Sequence, residues 1–284
     1  MGAEFSGGGG DVVEVRRGVD PGPLSDAECD AVVAAFDGRA VDGFLDAQSV
    51  DGLLGVDGFY PQLAGARGVT VEAFLACAGT ALRGSSSARL DAAARAGLGL
   101  AALVDGRGDS SRAPPRALRG VFALAATCYG VDAAAVDLAP LVAGVSRAIA
   151  EDVAAGVEDG DDARTIPAAS VLRWCLRHAP TLGDAWGAYA RSRLVGDAPA
   201  PAAPVLRAPS AALGGAFSSA ARLQLALASP RLAGRALARL YASDVDGLSF
   251  NRLLHGILGW TGPTLLVLRL AGGESARNRS SKVS

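Results

Sequence analysis

Apolar side chains return every third or fourth position through most of the first 195 residues, the spacing of one face of a helix. The clearest run is Cys29, Val32, Val33 and Phe36, preceded by Ser25-Asp26-Ala27-Glu28, which has the form of a capping box, with Leu24 and Cys29 placed as a hydrophobic staple. A helix therefore begins at Ser25. The same spacing predicts helices near 70–82, 87–104, 115–129, 133–156, 168–178 and 183–194, the one from 133 opening after a turn at Gly130 to Asp132. Residues 106–114 and 157–166 read as charged, Gly-rich connectors, and the pairs Asp42-Gly43, Asp51-Gly52 and Asp57-Gly58 as turns.

Beyond residue 195 the pattern changes. Pro199, Pro201, Pro204 and Pro209 predict a stiff Ala/Pro linker over 196–210. Ser229-Pro230 is a helix entry, and that helix is expected to run to about Tyr241. Asp246-Gly247 predicts a turn, because glycine reaches positive φ at little cost. Ser249 can cap a second helix carrying Phe250, Leu253, Leu254, Ile257 and Leu258, with Gly259 at its end. After the break at Gly262-Pro263, the short apolar run Thr264 to Leu270 predicts a buried strand. Residues 1–23 and 271–284 are expected to be disordered.

Composition narrows the functional classes. The formal charge of −2 over 284 residues offers no electrostatic case for nucleic acid. Hydrophobic content is 50%, but much of it is alanine, and no strongly apolar run is long enough to span a bilayer. No secretory leader is recognisable, so an intracellular, cytoplasmic location is expected. Cys29, Cys77, Cys128 and Cys175 are far apart in apolar settings and read as core thiols of a reducing compartment. His178 and His255 have neither a nucleophile nor a metal-ligand pattern beside them, so no catalytic residue, cofactor or metal site is assigned. Arg107-Gly108-Asp109 is too short a match to carry integrin binding, and Glu158, Asp159, Asp161 and Asp162 read as a solvated loop.

The run Leu240, Tyr241, Asp246, Gly247, Ser249, Phe250, His255, Gly262, Pro263, Thr264 and Leu265 resembles the opening third of a TLDc domain, the module of the oxidation-resistance proteins and of relatives in lysosomal mTOR signalling. In that family more strands follow, beginning with a Phe-Gly pair; none follows Leu270 here, so a truncated copy is expected. Gly68-Val69-Thr70-Val71-Glu72-Ala73-Phe74-Leu75 resembles the exit half of an EF-hand. With Val69 at the eighth loop position, Gln62, Ala64, Ala66 and Ala73 stand where calcium needs carboxylates, so no metal is expected. Together these imply a mainly α protein: a degenerate EF-hand-like helical domain over 24–195, the linker, and an incomplete α+β TLDc fragment of two helices and one strand over 211–270.

The resemblance implies a non-enzymatic interaction protein linked to oxidative-stress resistance, vacuolar proton ATPase binding or lysosomal and vacuolar signalling. The alternative is a helical adaptor of EF-hand ancestry without TLDc function. Met1-Gly2-Ala3-Glu4-Phe5-Ser6 fits the N-myristoylation pattern, so Gly2 is a candidate lipid anchor giving weak, peripheral attachment to a lysosomal or vacuolar membrane.

Overall fold

The computed structural model describes residues 23–55, 68–98, 112–154, 165–197, 218–233, 235, 237–262 and 264–266. The protein is mainly helical. Twelve α-helices lie among the described residues: α1 Asp26–Asp37, α2 Ala47–Leu54, α3 Val71–Arg83, α4 Ser86–Leu98, α5 Leu118–Cys128, α6 Ala139–Ala154, α7 Ala168–His178, α8 Leu182–Leu194, α9 Ser219–Ala228, α10 Pro230–Ala233, α11 Ser243–Asp246 and α12 Phe250–Ile257. A two-residue antiparallel pair, β1 Arg112–Ala113 with β2 Ile166–Pro167, joins the chain ahead of α5 to the chain ahead of α7.

The chain divides into two compact units, Met1–Leu206 with Ser219–Arg235, and Arg207–Ser218 with Ala236–Ser284. In the first, α4 and α8 form the hub: α8 packs on α1, α2, α3, α4 and α5, and α4 packs on α3, α5, α7 and α8. Trp186 on α8 is wholly buried, and Phe74, Phe122, Leu90 and Leu182 fill the core around it. Small residues allow the close crossings. A Cβ on Gly120 would collide with the Gly97 carbonyl oxygen, and one on Gly97 would meet the Cα of Val121, so α4 and α5 cross backbone to backbone.

The capping box at Ser25 and Glu28 forms as the sequence predicts, and Val32, Val33 and Phe36 are buried. Asp42 (φ 52°) and Gly43 (φ 81°) make the two-residue turn of a tight hairpin, with reciprocal bonds of 2.9 and 3.0 Å between Val41 and Phe44. Leu45 and Val69 then exchange backbone hydrogen bonds of 2.9 and 3.0 Å. One residue later each chain enters a helix: Asp46 accepts from the Ser49 amide at 2.7 Å to cap α2, and Thr70 accepts from the Ala73 amide at 3.3 Å to cap α3.

Several expectations need correction. Asp51 and Gly52 lie inside α2, not in a turn: Val50, Leu53 and Leu54 are buried, and Arg193 binds the Leu53 and Gly52 carbonyls at 3.2 and 2.8 Å, so packing overrides a weak helix former. The segment 133–156 is broken into a 3-10 turn at Ala133–Ala135, extended Val136 and then α6. Asp132 caps the turn and Asp137 accepts from the Ala139 amide at 3.1 Å, so two short acidic caps outcompete one continuous helix. The helix from Pro230 stops at Ala233 instead of reaching Tyr241, since no side chain after Leu227 is buried among the described residues and a helix that short has no packing to extend it. Thr264 to Leu266 join no ladder, and 267–270 lie outside the described residues, as do the connector at 157–164, Asp57-Gly58 and the linker from 198 onward.

Helix α9, which the apolar pattern does not single out, is held to the body by buried polar groups. The Tyr129 hydroxyl donates to Thr181 Oγ1 at 2.8 Å, and the Thr181 hydroxyl lies 2.9 Å from the carbonyl oxygens of both Ala226 and Leu227. Burial pushes the Tyr129 phenol up, partly offset by the bond to Thr181, so the network is neutral at physiological pH. Thr181→Val keeps the shape but removes the one hydroxyl proton that the two carbonyls share and the acceptor of the Tyr129 hydroxyl, an expected loss of about 2–3 kcal/mol. Amide exchange should quicken first across Ser219–Ala228; a uniform rise through the body would contradict a local fastening.

Candidate functional site

Charge in the body converges on Glu28, which is 3% exposed. Its Oε2 accepts from the Ser25 amide at 3.0 Å, the Ser25 hydroxyl at 3.1 Å and Arg83 Nε at 2.9 Å; its Oε1 accepts from Arg191 Nη2 at 2.5 Å. Arg191 also reaches Asp197 at 2.8 Å. One carboxylate thus ties α1 to α3 and α8. Burial raises the Glu28 pKa, but the bonds from Arg83, the Ser25 amide, Arg191 and the Ser25 hydroxyl outweigh it and hold the group down to about 2. A base that weak, with both oxygens occupied by donors, is a clasp and not a proton acceptor near neutral pH.

Three of the thiols are equally quiet. Cys128 and Cys175 are buried, while Cys29 and Cys77 are half-buried. Burial pushes the Cys77 and Cys175 thiols up to about 12 and raises Cys128 as well, so these three are protonated and poor nucleophiles at neutral pH. His178 closes α7 exposed, its ring 5.4 Å from that of Trp174, and His255 is exposed on α12. No cluster of three or more His, Cys, Asp or Glu side chains that could hold a metal occurs among the described residues. No described helix is long and apolar enough to cross a membrane.

The C-terminal motif residues come together in the second unit. The Tyr241 hydroxyl donates to the Gly247 carbonyl at 2.6 Å, Asp246 Oδ2 accepts from the Ala242 amide at 2.7 Å, and Arg252 donates to the Asp246 carbonyl at 2.5 Å. Gly247 sits at φ 83°, ψ 161°, a conformation essentially reserved for glycine. Gly256 lets α12 approach the Leu240 carbonyl, since a Cβ there would lie 2.5 Å from that oxygen. Ser249 occupies the N-cap position of α12 without a side-chain cap bond, and Gly259 takes a positive φ of 84° just past its end. Phe250 is not gathered in; it is 71% exposed. Gly262 is described, resting near the Trp260 ring, whereas Gly2 and Pro263 lie outside the described residues.

Sequence reasoning missed the Glu28 cluster beyond its capping box, and the hairpin and bridge that pair α2 with α3. The first rests on partners 55 and 163 residues away, for which no local signal exists. The second had one: Leu45-Asp46 mirrors Val69-Thr70, an apolar residue followed by a helix cap. No family model matches the chain, and no curated protein or solved structure does either.

Proposed function

We propose that this chain is a non-enzymatic interaction protein of TLDc type, with an EF-hand-like helical body that works without calcium. The observation that carries the body's reading is the reciprocal Leu45–Val69 bridge, with a helix capped one residue after each member. Val69 stands at the eighth position of the loop read from the sequence, and Leu45, bridged to it, allows a second loop to be counted in the same way. Counting from Leu45, Gly43 falls at position six, where the calcium loop requires its sharp turn.

The ligands do not fit. Positions one, three, five and twelve of that loop are Gly38, Ala40, Asp42 and Ser49, and the carboxylate of Asp46 is already bound to the Ser49 amide. Six to eight oxygens cannot be assembled from that set. Calorimetric titration with calcium to millimolar levels is expected to give no binding heat; a saturable one-site isotherm would sink the reading.

The TLDc side rests on the mutual contacts of Tyr241, Gly247, Asp246 and Gly256. The proposed partner is the vacuolar proton ATPase, with a role in oxidative-stress resistance or lysosomal signalling. Pull-down of the detergent-solubilised ATPase by the full chain should succeed and should be lost with Gly247→Val, which forces a branched side chain into a glycine-only conformation. Absence of capture by the unaltered chain rejects this partner.

A second reading, a helical adaptor in which the C-terminal residues contribute nothing, draws on one fact: the described core ends at Leu227. Capture that persists in Gly247→Val favours it.

A further inference from the structure

The longest connection between helices of the body leads to α9. From Val195 to Ser218 it takes 24 residues, several times the usual length between packed helices, and it includes Pro199, Pro201, Pro204 and Pro209. Helix α9 itself is fully seated. It packs on α5 and α6, Leu223, Ala226 and Leu227 are at most 1% exposed, and the Thr181 hydroxyl and amide hold its last carbonyls. After Leu227 no described residue is buried, so α9 is the only buried anchor among the described residues past Asp197.

Geometry sets what that connection must span. The carbonyl end of α9 lies at Thr181, just before α8, and the connection starts at Val195, just after it. Helix α8 has 13 residues and α9 has 10, about 20 and 15 Å at roughly 1.5 Å per residue, so Val195 and Ser218 stand roughly 40 Å apart at most. A Pro-rich composition favours about 3.1 Å per residue, about 45 Å over 196–210 alone. That reach exceeds what α9's own groove requires, and a tether mismatched to its span loses effective concentration. We propose that α9 also docks in the groove of a second copy of the chain, giving a reciprocally exchanged dimer. Exchange keeps every hydrogen bond and buried side chain of α9, with two grooves filled by two helices about a two-fold axis. The cost is association, so the dimer depends on concentration. Nothing in it draws on the C-terminal motif, so the exchange and the TLDc reading fail separately.

The test is light scattering on the full chain after size exclusion, loaded from about 5 to about 500 µM. The mass should climb from one chain toward two across that range, which brackets an effective concentration brought down from the millimolar level of a well-matched tether. Pro199→Ser, Pro201→Ser, Pro204→Ser and Pro209→Ser together should raise the half-dimerisation concentration at least about tenfold, because a chain that bends freely returns α9 to its own groove. That variant alters no described residue, so the fold of the body is not at stake. Leu223→Asp, which spoils the helix, and Thr181→Glu, which sets a carboxylate against the α9 carbonyls, should each be monomeric. Mixed in equal amounts they should form heterodimers at lower concentration than the parent dimerises, since each supplies the half that the other lacks. A parent that stays monomeric to about 500 µM, a dimer unmoved by the four serines, a dimer that persists in Leu223→Asp, or a mixture that stays monomeric would overturn the exchange.

Discussion

Gly120→Val is expected to abolish cooperative folding of the helical body. Its Cβ would meet the Gly97 carbonyl oxygen, a backbone atom that cannot rotate away, and Gly97 is itself hard against Val121. Overpacking against adaptable side chains costs about 1–3 kcal/mol. Here the two helices must separate, and Leu90, Leu98, Leu118 and Val121, all buried along this pair, would lose packing together. A loss above about 4 kcal/mol would consume much of a typical domain's stability. Gly144→Ala is the control: it lies on the exposed face of α6 with nothing within 4 Å of the added Cβ, so about 0.5–1 kcal/mol of stabilisation is expected. Thermal unfolding followed by circular dichroism separates them; a Gly120→Val protein melting within a few degrees of the parent would show that the crossing can open cheaply.

Glu28→Gln is expected to cost about 2–3 kcal/mol at pH 7. Removing one partner of a buried ion pair costs about 3–5 kcal/mol, and the figure is reduced here because Arg83 is half-exposed and solvent screens it. The pH dependence follows from the depressed pKa. Glu28 is held at about 2 against an ordinary 4.5, so its contribution is complete above pH 4.5 and is lost as pH falls toward 2. Urea unfolding at pH 7, 4 and 2.5 should show parent and variant converging as acid is added. A constant gap between them down to pH 2.5 would mean that the carboxylate's charge is not what stabilises the clasp.

Ser25 and Glu28 were legible as a cap because a capping box is complete within four residues. Helix α7 appears at the predicted bounds, 168 to 178, for a similar reason: Val171, Trp174 and Cys175 repeat on one buried face, and the following Ala179-Pro180 ends it. Asp42-Gly43 was equally plain as a turn, and Gly247 takes a positive φ just past α11, which Asp246 closes, since positive φ is a property of the residue. Asp51-Gly52 shows where that logic stops. The same dipeptide is helical when Leu53 and Leu54 have a core to enter and Arg193, 140 residues away, to close the helix end.

The sequence alone therefore determined where most helices of the body begin and end, and the Tyr241–Gly247–Phe250 run that carries the functional reading. Only the tertiary structure decided that Glu28 is a three-helix clasp, that Thr181 fastens α9, and that Phe250 is not gathered in with Tyr241 and Gly247. Caps, turns and helical periodicity depend on neighbours within one or two turns. Burial and ion pairing depend on which distant surface arrives, and composition does not encode that.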